Sequence, residues 1–95
     1  MDKENIIYLI NKSVVDTEEP ENDKNEILFA ENDQYFAHER FLREVERELS
    51  NGAPAGNFIS ENDWECRFGT QIIKIYVTEQ KFITTEARAA RSLNE

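Results

Sequence analysis

A nucleophile–base pair in this chain has one composition open to it, Cys66 with His38, the sole thiol and the sole imidazole. Cys66 alternates with Trp64 and Phe68, and His38 falls on the apolar side of a helical period. A free cysteine in apolar company packs as a small hydrophobe, and neither residue stands in a catalytic signature. Both read as core or core-edge residues. Metal chemistry has one starting point, Asp16-x-Glu18, which opens like a calcium loop. The glycine such a loop needs is missing, and Pro20 stands where a ligand belongs. The chain has no glycine-rich phosphate loop, paired-cysteine zinc motif or nucleophile elbow. It is expected to be no enzyme and to need no cofactor or metal.

Carboxylates are what the sequence holds in excess. Twenty acids against eleven bases leave a net charge of −9. Residues 16–33 contain eight of those acids (Asp16, Glu18, Glu19, Glu21, Asp23, Glu26, Glu31 and Asp33) against one base, Lys24, a local charge of −7. Glu61, Asp63 and Glu65 make a possible second patch. Carboxylates on a rigid surface can imitate nucleic-acid phosphates, and a groove lined with lysine and arginine will accept them in a salt-sensitive association. Direct nucleic-acid binding is disfavoured, because a polyanion is repelled by this segment. The expected partner is a basic protein, with solubility as the competing explanation of the charge.

The element that must position these groups runs from Asp33 to Ser50. At 100° per residue, Tyr35, His38, Phe41, Leu42, Val45 and Leu49 share a face, the pattern of an amphipathic helix. Asn32 or Asp33 suits the N-cap, Gly52 the C-terminal stop, and Pro54 opposes continuation. On the polar side Arg40, Arg43 and Arg47 form one stripe with Phe36 beside them. That stripe is either a solvated face with weak ion pairs to Glu39 and Glu44, or an arginine-and-aromatic contact patch for assembly.

Strand signals flank the helix. Asn5–Val15 is rich in Ile and Val, and Glu26–Ala30 is a short strand able to pair with it. Between them DTEEPENDKN contains no apolar residue and reads as a mobile loop. After the helix, a turn-rich connection leads to Phe58-Ile59. Trp64, Cys66 and Phe68 then alternate with polar residues, Gly69-Thr70 suits a tight turn, and Gln71–Thr78 is the strongest strand in the chain. Residues 84–95 carry helix formers sufficient for a short, marginal helix. Glu-Asn-Asp recurs at 21–23, 31–33 and 61–63 and reads as turn and cap chemistry. The order is ββαββ: an α+β domain spanning 1–95, with an antiparallel sheet of about four strands and one main helix across it.

With 39% hydrophobic and 33% charged residues, the composition is that of a globular chain. No apolar run approaches the ~20 residues of a membrane span. The N-terminal apolar run is too short for a signal peptide and has acids ahead of it. A lone cysteine fits a reducing compartment, so the expected location is the cytoplasm. Either a monomer or a homodimer paired through an open sheet edge is compatible with this pattern.

In size, charge and compact α+β pattern the whole chain resembles the small acidic inhibitors encoded by bacteriophages, such as anti-CRISPR proteins and other anti-defence factors. The resemblance implies stoichiometric binding to a host nucleic-acid-handling protein, with its substrate groove blocked.

Overall fold

The computed structural model describes residues 4–83, which form five strands and one main helix. In chain order they are β1 (Glu4–Asp16), β2 (Lys24–Glu31), α1 (Gln34–Ser50), β3 (Asn57–Ser60), β4 (Asp63–Phe68) and β5 (Gln71–Ile83), with a single 3₁₀ turn, Pro20–Asn22, between β1 and β2. The fold is α+β, one antiparallel sheet in the order β2-β1-β5-β4-β3 with α1 packed on it. The expected sheet has gained a strand. Asn57–Ser60 pairs with β4 and is not merely the end of a connection. The short helix anticipated over 84–95 lies outside the described residues. Among the described residues no helix is long and apolar enough to cross a membrane.

The two longest strands, β1 and β5, are central neighbours and pair from Glu4↔Ile83 to Asp16↔Gln71. Their β-branched runs suit a position with a ladder on each side. Alternation sends Tyr8, Ile10, Lys12 and Val14 of β1 toward the helix, with Ile73, Ile75 and Val77 of β5 and Trp64 and Cys66 of β4. Trp64, Phe41, Ile10 and Ile75 are fully buried, and such side chains contribute about 1.5–3 kcal/mol each. A bulge at Leu28 shifts the β1–β2 register, so that Ile10 faces Phe29 while Asn11 faces Ile27.

The helix starts and stops on local chemistry. Asp33 is the N-cap, its carboxylate accepting the Tyr35 and Phe36 N–H groups at 2.8 and 3.1 Å. At the other end the Asn51 N–H closes on the carbonyls of Arg47 and Glu48. Its buried side differs from the expected one. Ala37, Phe41, Glu44 and Val45 are buried, whereas Tyr35, Leu42 and Leu49 are exposed. The helix is rolled so that small Ala37 meets the sheet, and Glu48 reaches across to pair with Lys12 of β1.

Candidate partner-binding surfaces

The acidic loop is tied down, contrary to the mobile loop expected from its composition. Asp16 ends β1 and is buried. One of its carboxylate oxygens accepts the N–H groups of Glu18 and Glu19, each at 3.0 Å. These two bonds, the Glu18 one foremost, and the Thr70 hydroxyl hold the Asp16 carboxyl below its ordinary value against the opposing pull of burial. The Asp23 carboxylate in turn accepts the Asp16 N–H at 2.7 Å. Thr17 anchors the loop to the β4–β5 turn, its N–H and hydroxyl both donating to the Thr70 carbonyl at 2.8 and 2.9 Å. Asp16 and Asp23 are therefore organisers of the loop. Glu18, Glu19 and Glu21 are the carboxylates it presents to solvent, Glu19 also accepting from the Asn22 amide at 2.7 Å.

The remaining acids of the segment are spread along the sheet edge. Glu26 lines a cleft of about 390 Å³ with Lys12, Val14, Asn22, Lys24 and Gln71, directly behind the loop. Glu31 lies 3.9 Å from the Arg40 guanidinium, and Asp33 is committed to the helix cap. Since Glu31 pairs with Tyr8 and Asp16 ends the same strand, the two ends of this acidic row are about 26 Å apart at ~3.3 Å per residue. The second patch is divided. Asp63 sits 3.8 Å from Lys74, Glu65 stands opposite Lys74 in the ladder, and Glu61 lies apart in the β3–β4 turn beside His38.

The arginine stripe is largely engaged by its own molecule. Arg40 stacks over the Phe29 ring at 4.2 Å, a cation–π contact, and Arg47 reaches buried Glu44 at 3.4 Å. Arg43 and Phe36 are exposed, Phe36 edge-on to Tyr35 with ring centroids 5.6 Å apart. Arg40 is the member of the stripe that joins the helix to β2, through Phe29 and Glu31.

Cys66 and His38 do not meet as a catalytic pair. The thiol is buried on β4 and pushed above its ordinary value, first by burial and then by the charge of Glu48, the opposite of an activated nucleophile. His38 stacks on Phe41, and its Nδ1 stands 2.8 Å from the Asn62 Oδ1. Among the described residues no group of three or more His, Cys, Asp or Glu side chains is placed to hold a metal ion. Each Glu-Asn-Asp segment lies at a turn or cap, with Asp23, Asp33 and Asn62 bonding to nearby groups.

Two features escaped sequence reasoning. One is the β3 edge, where Phe58 and Ile59 are each 56% exposed. The other is a groove at the start of α1, in which Gln34 and Asn62 are shared by two adjoining cavities of about 60 and 270 Å³. The first is a four-residue segment that becomes a strand only by pairing with β4, and the second is assembled from separated elements. Comparison with known protein families, with characterised proteins and with solved structures finds no match to this chain.

Proposed function

We propose that this chain is a non-catalytic binding protein that docks on a basic protein of the kind that handles nucleic acid and inhibits it by occupying its groove, as the phage-encoded inhibitors it resembles do. One observation carries the reading: Glu18, Glu19 and Glu21 project from a loop whose backbone is fixed by Asp16, Asp23 and Thr70. Carboxylates on a preorganised loop lose little conformational freedom on binding, so more of their attraction survives as affinity. Glu26 extends the row along β2.

The test is affinity capture from bacterial lysate at low and high salt, with bound proteins identified by mass spectrometry. The wild type is compared with a Glu18→Lys, Glu19→Lys, Glu21→Lys variant. A nucleic-acid-binding protein retained at low salt, lost at high salt and not retained by the variant is the expected result. A partner held equally at both salts and by the variant overturns it.

A second reading, an assembly module, is favoured by the β3 edge rather than by the Phe36, Arg40, Arg43 and Arg47 stripe. Strand β3 is an edge strand without a single charged residue, and uncharged edges are natural pairing sites.

A further inference from the structure

The groove at the start of α1 has a composition that the acidic-loop reading leaves unused. Its smaller cavity is lined by Tyr8, Ala37 and Val77 together with the polar Gln34, Asn62 and Glu79. Its walls carry the Gln34 and Asn62 amides, the His38 imidazole and the Tyr35 ring, with Glu61 on one side and Glu79 on the other. His38 Nδ1 stands 2.8 Å from the Asn62 Oδ1. Tyr35 is 65% exposed, its hydroxyl is held by Glu39 and its ring meets that of Phe36, which leaves the part of the ring turned away from Phe36 for a ligand. Among the described residues neither Glu61 nor Glu79 meets a cation.

We infer that this groove receives an arginine side chain of the partner. The inference rests on the reading above that the partner is basic. An arginine has an apolar stem and a planar cationic head. The stem lies along Val77 and Tyr8. The head finds a carboxylate in Glu61 and an aromatic ring in Tyr35. Charge complementarity selects this occupant, since every ionisable group on the rim is an acid, an imidazole or a phenol. A lysine head satisfies the carboxylate but gains less from the ring, because a compact ammonium cannot stack as a guanidinium does. The groove opens at the Tyr8 end of the sheet, about 26 Å from the Glu18–Glu21 loop at strand spacing. A partner engaged at both points lies along the length of the domain.

The test is fluorescence anisotropy of labelled nona-arginine and nona-lysine peptides with the full chain at low salt. It compares wild type, Tyr35→Ala, Glu61→Gln and a Glu18→Gln, Glu19→Gln, Glu21→Gln variant, each checked for an intact amide fingerprint by NMR. Each groove substitution is expected to weaken nona-arginine by about two- to fivefold, the size of an exposed cation–π contact. The Tyr35→Ala effect on nona-lysine is expected to be smaller, and peptide addition is expected to move the Gln34, His38 and Asn62 amide signals. Unchanged nona-arginine affinity in both groove variants, with loss only in the loop variant, overturns the inference and leaves the basic-partner reading standing. Equal losses for both peptides in Tyr35→Ala overturn the choice of arginine. Failure of either peptide to bind wild type overturns both readings together.

Discussion

Gly56 lies so close to β4 that a Cβ built on it stands 2.4 Å from the carbonyl oxygen of Glu65. The same atom would meet Cys66 Cβ and the Trp64 indole nitrogen, each at 2.9 Å. The Trp64 N–H donates to the Ala55 carbonyl at 3.0 Å, so residues 53–56 form a strap that seals the indole beneath the end of the helix. Gly56 also has φ +68°, a conformation that favours glycine. Gly56→Ala therefore combines left-handed strain with a backbone clash and is expected to destabilise the fold by about 2–4 kcal/mol. Gly52 has φ +98° with open space around it, so Gly52→Ala bears only the conformational penalty of about 1–2 kcal/mol. Urea denaturation of the two variants separates the terms. Equal midpoints would mean that the strap does not press on β4.

Asp16 should govern the acid limb of stability. Its folded carboxyl is held below the ordinary aspartate value by the Glu18 and Glu19 N–H groups. The associated stability is present above the unfolded value of about 3.9 and is lost as pH falls through the lower folded value. Asp16→Asn keeps the shape and removes the charge. Its urea midpoint is expected below that of wild type at pH 7, with the gap narrowing below about pH 4 as the wild-type carboxyl itself protonates. A gap that stays constant across that range would show that the charge of Asp16 does not act through these bonds.

The helix and the central strands were legible because their patterns are local. Asp33 caps α1, Ile73, Ile75 and Val77 face inward, and Gly69-Thr70 joins two paired strands. The roll of the helix was not legible. Periodicity says which residues share a side, while the line of contact depends on Ala37 fitting the sheet and on Lys12 drawing Glu48 inward. The fifth strand was hidden because Asn57–Ser60 is short and neutral, and its identity comes from pairing with β4. Charge concentration at 16–33 was plain, but its division into organisers and presented groups depends on hydrogen bonds made seven residues apart and across to Thr70. Glu61 was legible as an acid and illegible as part of a groove, whose walls join residues 8, 34–38, 61–62 and 77–79.

Cys66 reports on whether the strap and helix stay closed. The thiol is buried, and burial followed by the Glu48 charge raises it above its ordinary value. Both effects lower the thiolate fraction that attacks a disulfide reagent. Native protein at pH 8 is expected to react with such a reagent far more slowly than protein unfolded in urea, and Gly56→Ala to react faster than wild type by loosening the strap. Rapid labelling of the native wild type would place the thiol at the surface and contradict the packing of β4.

The two sheet edges differ in how they guard against pairing. Both edge strands carry a bulge, at Leu28 of β2 and at Ile59 of β3, but only β2 adds the charges of Lys24, Glu26 and Glu31, a device that discourages strand addition. On β3 Asn57–Ser60 is neutral and exposed throughout, with Phe58 edge-on to Phe41 at 6.2 Å. The charge that opposes self-association sits mainly on the far edge. Four strand spacings of ~4.8 Å place β2 about 19 Å from β3, beyond the ~8 Å Debye length at physiological salt. If the edge assembles, sedimentation should give a dimer whose association constant changes little with salt and is reduced by Phe58→Lys and Ile59→Lys, which add charge to the edge. The same variants should leave the salt-sensitive capture of a basic partner unaltered. A monomer up to high micromolar concentration would assign β3 no role in self-assembly and leave the carboxylate loop as the contact surface.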